Sequence, residues 1–571
     1  MKANVLLSRS AIGKLLIAGL VIIVVVAIAA GAYYISLPAP SPSPSLTPAT
    51  HRIGVRVKDG VGEFYDRETE EKFVPRGNNY IRIASRSAWG EPNIIYHATF
   101  DPGVYDSARV EQAFTKMKQD NYNVVRVFIN RLCAANQSGE LSTDYLDNLE
   151  DFLQRAKTNN MFVMVVIDDP PDQYYKYLED IPLEPNIDWS NLPYLTQRGI
   201  EAEKRFWQDL IRELIRREAP LDHIFAYSLR NEAFFSSDQE PLTLTSGLVT
   251  AGNGRSYDMS KAEDKQKMMD ENLVFWIDTV RQAILQVDPT ALVTVGFFQP
   301  QGPNPTRVGD PRVIRTYSAI WESSADFIDL HLYPGLELNM AQYVENYEMS
   351  GFARKPIIMG EFGSSKYSHW SASLAAQVLQ DWQVDSCGYG FDGWLLWTWD
   401  TDEQPELWND LADGGVINEA LSPRNRPDPQ VAGTFSGQNI ALGKPTTASR
   451  SLPDNPAAMA VDGLLGDWWG SGVSPPQWIE IDLQAPSSIG KIRLAVRQFP
   501  GGETTHRVWG RGASTGEAYQ LLYEFRGFTT GGQVLEYSPP TPWTGIQFVK
   551  VETVVSPSWV SWGEIEVLRA S

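Results

Sequence analysis

The chain has 571 residues, 43% of them hydrophobic and 21% charged, which is enough for two or three globular domains. Its 70 acidic residues outnumber its 49 Lys and Arg residues, and the net charge of −21 argues against nucleic acid as a partner because such a surface repels phosphates. Two cysteines, Cys133 and Cys387, exclude a disulfide framework but leave a single bridge between them open.

Residues 1–36 are predicted to form an N-terminal transmembrane helix. A basic flank precedes the uncharged run Leu15–Ile35, which at about 1.5 Å per helical residue is long enough to cross a hydrocarbon layer of about 30 Å. The flank predicts a single-pass protein of the cell membrane with the following domains outside. A cleaved signal peptide, which would give a secreted protein, is the alternative because residues 27–32 are small; the length of the run favours the anchor. Residues 37–50, rich in Pro and Ser, are predicted to be an extended linker.

Residues 51–430 are predicted to form a (β/α)₈ barrel, an α/β fold. Apolar runs alternate with amphipathic helical segments, which is typical of repeated βα units. The eight runs are Phe73–Tyr80, Asn123–Asn130, Met161–Asp168, His223–Glu232, Ala291–Phe298, Phe327–Pro334, Pro356–Glu361 and Gly393–Trp399. An open doubly wound sheet is the alternative, but it would need fewer strands. No Gly-rich phosphate loop follows the first run, which argues against nucleotide binding.

Two of these runs end on a glutamate. Glu232 closes the fourth run and Glu361 closes the seventh, and active sites of this fold lie at the C-terminal ends of the strands. Cleavage of a glycosidic bond requires two carboxyl groups, which are about 5–5.5 Å apart when the configuration is retained and about 6.5–9.5 Å apart when it is inverted. The pair therefore predicts a glycosidase. Asn231 is suited to hydrogen-bond the 2-hydroxyl of the sugar.

The pattern resembles clan A glycoside hydrolases, and family 5, the cellulase and β-mannanase family, most closely. Besides the two glutamates, the motifs that carry the resemblance are Arg76–Asn79, Val124–Val127 with Arg126, His331–Tyr333 and Trp394–Trp399. The resemblance implies that Glu232 is the general acid/base and Glu361 the nucleophile. It implies no cofactor for catalysis.

The resemblance also implies a set of substrate-binding residues. Arg126 would keep Glu361 ionised and Asn231 would contact the 2-hydroxyl, while His331 and Tyr333 would line the subsite where cleavage occurs. Trp397 would be the sugar-stacking platform. Because Trp397 and Trp399 share one side of a strand of period two, either of them could reach the sugar.

The third run departs from the family pattern. It ends on Asp168 and Asp169, where many members have a histidine, and Arg230 stands before Asn231, where a small or apolar residue is commoner. All three positions are expected near the sugar, so the sugar's identity is not inherited from the family. Candidate ligands for sugar hydroxyls are Asp168, Asp169, Asn78, Asn130 and Gln299. A metal site built on the two aspartates is disfavoured because no His or Cys joins them in sequence.

Residues 438–571, after a Pro-containing linker at 424–438, are predicted to form an all-β jelly-roll sandwich because short alternating runs replace helical patterns. Asn439–Pro445, Ala460–Gly463 and Trp478–Leu483 resemble a discoidin or coagulation-factor C-type domain, the group that includes family 32 carbohydrate-binding modules. The resemblance implies a structural calcium ion held by Asp462 and Glu564, and a ligand site on loops at one end. Candidates for that ligand site are Trp559, Arg497, Phe499 and His506. A passive spacer or an adhesion module is the alternative.

Together these features predict a membrane-tethered retaining glycoside hydrolase, endo-β-glycanase-like, that acts on a β-linked polysaccharide or oligosaccharide. One alternative is a non-catalytic cell-surface glycan-binding or adhesion protein, against which the complete pair of Glu232 and Glu361 speaks. The other is a transglycosylase, which differs in whether water or a sugar takes the glycosyl group from Glu361.

Overall fold

The computed structural model describes residues 50–86, 93–136, 138–176, 178–298, 312–313, 317–334, 338–349, 354–425, 439–463, 468–514, 516–529, 531 and 533–570. The predicted anchor, nearly all of the Pro/Ser linker and Gln299 lie outside these ranges. Within them, no helix combines the length and the apolar character that a bilayer-spanning segment needs.

The strands before residue 425 are mostly short. In chain order they are β1 (Ile53–Lys58), β2 (Val61–Asp66), β3 (Arg76–Asn79), β4 (Ala84–Arg86), β5 (Asn93–Ile95), β6 (Val124–Ile129), β7 (Phe162–Ile167), β8 (Ile224–Ser228), β9 (Phe235–Ser236), β10 (Leu248–Thr250), β11 (Ser256–Asp258), β12 (Val293–Thr294), β13 (Gly296–Phe297), β14 (Arg312–Val313), β15 (Ile328–His331), β16 (Ile357–Phe362), β17 (Ser364–Ser365), β18 (Gly393–Leu396) and β19 (Leu407–Trp408).

The helices alternate with these strands. They are α1 (Ser107–Gln119), α2 (Thr143–Thr158), α3 (Asp172–Lys176), α4 (Leu192–Leu195), α5 (Gln197–Arg216), α6 (Ala262–Leu285), α7 (Tyr317–Glu322), α8 (Met340–Asn346), α9 (Ala372–Gly388) and α10 (Ala412–Leu421), with 3₁₀ turns at Leu221–His223 and Ala457–Ala460. The longer helices bury one face. In α5, for example, Phe206, Leu210 and Leu214 are buried at helical spacing, and Thr196 caps the first turn by accepting the Gly199 N–H.

The largest sheet is a closed barrel of parallel strands, which run in the order β12, β8, β7, β6, β3, β18, β16, β15 and β13. β12 pairs with β8 and β13 pairs with β15. Because Val295 alone separates β12 from β13, the two are halves of the fifth strand, and the barrel closes there with eight strands. The prediction of a (β/α)₈ barrel is therefore confirmed, and the open doubly wound alternative is wrong.

Alternation along the strands divides the barrel into an inner and an outer core. In β6, Val125 and Val127 pack outward against the helices, whereas Val124 and Phe128 point inward, with Arg126 buried between them. The β1–β2 hairpin closes the N-terminal end, where the Phe64 ring lies 5.3 Å from that of Phe225. The polar side chains that point into the barrel therefore lie towards the opposite, C-terminal end.

The C-terminal part of the chain is all β, as predicted. Its strands are β20 (Thr446–Ala448), β21 (Trp469–Gly470), β22 (Gln477–Val496), β23 (Gly502–Arg511), β24 (Gln520–Thr529), β25 (Val534–Tyr537), β26 (Trp543–Val555) and β27 (Ser561–Arg569). All their pairings are antiparallel within the described residues. β22 is long enough for its first half to pair mainly with β26 and its second half with β27, around a core of Val, Ile and Trp side chains.

Neither Cys133 nor Cys387 is part of a disulfide. Cys133 is buried and its thiol lies 3.3 Å from an Asp101 carboxylate oxygen. The bridge that the sequence left open is therefore not formed.

Candidate active site

Glu232 and Glu361 meet at the C-terminal mouth of the barrel. Glu361 lies within β16 and is 4% exposed, whereas Glu232 follows β8 beyond Ser228, in a segment that backbone hydrogen bonds hold to both neighbouring strands. One carboxylate oxygen of each glutamate and one ring nitrogen of His331 lie within 4.8 Å of one another. The two predicted carboxyl groups thus face one small space.

Arg126 donates hydrogen bonds to both Asn231 and Glu361. Its Nη1 donates to Glu361 Oε1 at 2.7 Å and to Asn79 Oδ1 at 2.9 Å, and its Nη2 donates to Asn231 Oδ1 at 2.9 Å. The guanidinium is fully buried. Charge-assisted bonds of this kind fix geometry as well as charge, so Arg126 sets the positions of Asn231 and Glu361 relative to each other.

His331 stands between the glutamates. Its Nδ1 lies 3.0 Å from Glu232 Oε1 and 3.5 Å from Glu361 Oε2, and its Nε2 lies 3.7 Å from Asp329 Oδ1. Burial opposes protonation of the ring, but the surrounding carboxylates outweigh it and raise the pKa of His331 to about 10. Gly360 makes room for this arrangement, because a Cβ there would lie 1.8 Å from Asp329 Oδ1.

The pKa of the Glu361 carboxyl reflects opposing influences. Burial raises it above its ordinary value, and so does the nearby charge of Glu232. The positive charges of His331 and Arg126, and a hydrogen bond that Tyr333 Oη donates to Glu361 Oε2 at 2.8 Å, act in the opposite sense. Glu361 is thus a buried carboxyl whose ionised form depends on three named partners.

Trp397 lies on the inner side of the barrel. Its ring packs edge-on against Phe128 with centroids 5.8 Å apart, and its Nε1 donates to Gln404 Oε1. Trp399 instead packs in the outer core against Tyr122. The prediction that both rings share one side of a strand is wrong, because β18 ends at Leu396 and the alternation ends with it. Of the two, Trp397 is therefore the tryptophan on the inner side of the barrel, and its role as the sugar-stacking platform stays a prediction.

The strand-three side of the mouth is built from paired residues. Asp168 Oδ2 lies 2.7 Å from His97 Nδ1, and the His97 ring stacks on Phe128 at 3.9 Å. Asp169 Oδ1 lies 2.5 Å from Nη1 of Arg230, whose guanidinium is buried. The two departures from the family pattern, at strand three and at Arg230, are thus partners of each other. His97 was missed because it lies in the long connection between the first two predicted runs, away from the end of either run.

Two of the predicted hydroxyl ligands, Asn78 and Asn130, are buried. Asn78 is fully buried, and Asn130 is 4% exposed with its amide donated to both carboxylate oxygens of Asp101. As ligands for sugar hydroxyls, both residues stay predictions.

The same space offers three potential metal ligands, from Glu232, His331 and Glu361. A metal-binding imidazole has to be neutral, however, and His331 with its pKa near 10 holds its proton at neutral pH. Arg126 and Tyr333 already donate to Glu361. The cluster fits acid–base chemistry better than metal binding.

One of the residues predicted for the loop site of the C-terminal domain does not lie on a loop. His506 is buried on β23, where its Nδ1 lies 3.0 Å from Thr553 Oγ1, so its prediction as a loop ligand is wrong. Phe499 and Trp559 are 90% and 56% exposed. Glu564 accepts the Gly463 N–H beside Asp462, as a shared site would require. Calcium binding there stays a prediction.

Comparisons with known proteins give one family match. The model of cellulase, glycosyl hydrolase family 5, matches residues 89–403. No curated protein matches the chain.

Similar solved structures include modules and an enzyme. They are the family 32 CBM of C. perfringens NanJ in complex with galactose (15% identity, 23% of this chain and 97% of that one, TM-score 0.21), chitosan-binding module 2 in complex with chitotriose from a chitosanase/glucanase of Paenibacillus sp. IK-5 (26%, 23% and 99%, 0.20) and the exo-beta-1,4-mannosidase Op5Man5 from Opitutaceae bacterium strain TAV5 (17%, 70% and 66%, 0.43). Since the family match spans more than half of the chain and contains both glutamates, the chain belongs to glycosyl hydrolase family 5 and is a glycoside hydrolase.

Proposed function

We propose that the enzyme hydrolyses β-linked glycans with retention of configuration, with Glu232 as general acid/base and Glu361 as nucleophile. The observation that carries the proposal is the approach of their carboxylate oxygens to within 4.8 Å. Nearest oxygens within this limit fit the about 5–5.5 Å spacing of retaining enzymes better than the roughly 6.5–9.5 Å at which a water molecule fits between the carboxyls. The match to a cellulase model supports the β linkage.

In the first step, a Glu361 oxygen forms a bond to the anomeric carbon while the bond from that carbon to the leaving oxygen breaks. Glu232 gives its proton to the leaving oxygen, so the departing sugar leaves as an alcohol. The product is a glycosyl ester on Glu361 with inverted configuration. His331 supports this step by holding Glu232 at 3.0 Å, on the side that faces Glu361.

In the second step, water attacks the anomeric carbon as Glu232 accepts a proton from it, and the ester bond to Glu361 breaks. The second inversion restores the starting configuration. A sugar hydroxyl in place of water would give transglycosylation, and no observation favours that outcome here.

The surrounding residues have separate proposed roles. Arg126 and His331 favour the ionised, nucleophilic form of Glu361. Asn231, whose oxygen is occupied by Arg126, keeps its NH₂ group for the 2-hydroxyl of the sugar. Tyr333 donates to Oε2 of Glu361, whereas Arg126 donates to Oε1. Trp397 supplies an aromatic wall for the sugar ring.

We further propose that residues 1–36 anchor the enzyme in the cell membrane with the barrel outside. The support is the basic flank and the uncharged run Leu15–Ile35 in the sequence.

The stereochemical course tests the proposed mechanism. An aryl β-glycoside that the enzyme accepts is hydrolysed in an NMR tube, and the anomeric proton of the first-formed sugar is recorded before mutarotation. We expect the β-anomer. First formation of the α-anomer would contradict the double displacement, because it requires a single inversion.

A further inference from the structure

The C-terminal domain contacts the barrel at the segment between β16, the strand that carries Glu361, and α9. The Arg497 guanidinium carbon lies 4.2 Å from the ring centroid of Trp370, in the barrel, and 4.1 Å from that of Trp468, in its own domain. Trp370 follows the loop that leaves β16. A cation between two aromatic faces is a directional contact, so this pair places the end of β22 against the loop.

A second contact fixes the direction of β22. Arg493, which is 6% exposed, bonds to Asp381 of α9 and to Glu566 of its own domain. From Arg493 to Arg497 the strand advances about 13 Å, at about 3.3 Å per residue. From Asp381 back to Trp370 the chain, mostly helical, covers about 16 Å at 1.5 Å per residue. The later residue of the strand segment, Arg497, contacts the earlier residue of the helix segment, Trp370, and the two spans are similar in length. β22 therefore runs antiparallel to α9.

This direction brings the loop after β22 to the mouth of the barrel. In a (β/α)₈ barrel each helix begins at the C-terminal ends of the strands, so the start of α9 at Ala372 marks the level of the mouth. β22 runs towards that level, and the loop beyond Arg497 carries Phe499, which is 90% exposed. Phe499 is therefore presented at the same end of the molecule as the two glutamates.

The barrel also presents an exposed aromatic residue, on the loop that leaves β16. Tyr367 is 85% exposed at the tip of the loop after β16. The loop is held by the His369 N–H to Ser365 carbonyl bond, by the Tyr367 N–H to Ser365 Oγ bond and by the Ser364 Oγ to His369 Nδ1 contact at 2.6 Å. Tyr367 is six positions after Glu361 in the chain, so the two lie within about 20 Å of each other.

We propose that Tyr367 and Phe499 extend the glycan-binding surface of the barrel onto the C-terminal domain, and that the substrate is a polysaccharide long enough to contact both. This inference rests on the proposed function and deepens it by naming a polymeric substrate. Each ring is preceded in sequence by a polar residue, Lys366 before Tyr367 and Gln498 before Phe499, so each loop carries a single exposed ring and no apolar run. Flat rings set apart along a polar surface suit successive sugar units.

The full chain is compared with its Tyr367→Ala, Phe499→Ala and double variants. Each is assayed for kcat/KM on the β-linked polysaccharide that the wild type degrades fastest and on an aryl β-glycoside of the same sugar. We expect a loss of at least about tenfold on the polysaccharide in the double variant and rates within twofold of wild type on the aryl glycoside. The matched control is Tyr389→Ala, which removes an exposed tyrosine at the other end of α9 and should change neither rate.

Unchanged polysaccharide rates in the double variant would overturn the inference. So would an equal loss on both substrates, because that would mean that the substitutions act through the catalytic centre, and so would a wild type that cleaves aryl glycosides but no polymer. In all these outcomes, hydrolysis of the aryl glycoside still measures the catalytic activity of Glu232 and Glu361. A wild type that cleaves neither substrate class would instead contradict the proposed function.

Discussion

On one side of the barrel mouth, Glu361 receives hydrogen bonds from Arg126 and Tyr333, and its side chain is 5% exposed. On the strand-three side, Asp168 contacts His97, and 46% of its side chain remains exposed. Both are carboxylates at the ends of barrel strands. They differ in how many protein groups contact the carboxylate and in how much of it is exposed to solvent.

The difference separates two tasks. A buried, fully bonded carboxylate is held in one geometry, which suits a group that has to meet the anomeric carbon. An exposed carboxylate with one histidine partner keeps acceptor capacity for sugar hydroxyls. We therefore expect substitutions on the Glu361 side to change rate for every substrate, and substitutions at Asp168 to change which sugar is preferred.

The largest of the expected effects concerns Glu232. Glu232→Ala should lower kcat/KM on a natural glycan by about 10²–10⁴-fold, the usual contribution of a general acid. On an aryl glycoside with a good leaving group the loss should be far smaller, because that leaving group departs without a proton. Rates on the two substrates are measured side by side, with Glu68→Ala, an exposed glutamate in the N-terminal segment that follows β2, as control. Equal losses on both substrates would speak against the acid role.

A smaller effect is expected on the strand-three side. Asp168→Asn removes the charge and keeps the shape, so it should change the ratio of kcat/KM between gluco- and manno-configured aryl glycosides by about tenfold, the scale of one charge-assisted hydrogen bond. The matched variant Asp169→Asn breaks the ion pair with the buried Arg230 and should lower the melting temperature while leaving that ratio unchanged. If Asp168→Asn slowed both substrates alike, the division of tasks would be wrong.

The last prediction concerns stability and not rate. Arg230 also lies near Glu203, a fully buried side chain in α5 whose pKa burial raises from 4.5 to about 8. The folded state therefore keeps this proton at a pH where the unfolded state has released it, so stability falls as pH rises towards 8. The loss between pH 6 and 8 should be about 2 kcal/mol. Glu203→Gln should remove this part of the pH dependence.

Melting temperatures at pH 6 and pH 8 measure that effect. Glu201→Gln, on the same helix but partly exposed, serves as the control and should keep the wild-type difference between the two temperatures. A Glu203→Gln protein that lost as much stability as the wild type would show that Glu203 is ionised in the folded state.

The positions of Glu232, Glu361 and His331 could be predicted because each lies at or near the end of a barrel strand, where fold and chain order determine position. Arg126 lies in the middle of β6, and its motif was found through the family resemblance. His97 could not, because it comes from a loop, and what places it is a stacking contact with Phe128 that has no sequence pattern. Trp399 was misplaced for a related reason, since alternation predicts direction only while a strand continues.

The C-terminal domain shows the same limit. Its alternating runs predicted an all-β region, but alternation cannot tell an exposed loop from a strand edge. His506 was therefore taken for a loop residue although it is buried on β23. Contacts between domains, such as Arg497 between Trp370 and Trp468, join residues far apart in the chain and leave no local signal.

The most direct test of the account is to trap its covalent intermediate. The enzyme is incubated with an aryl 2-deoxy-2-fluoro-β-glycoside of a sugar it accepts, digested with protease, and the labelled peptide is identified by mass spectrometry. The account predicts one sugar per protein, attached through an ester to Glu361. A label on Glu232, or turnover of the parent glycoside by a Glu361→Gln protein at the wild-type rate, would contradict it.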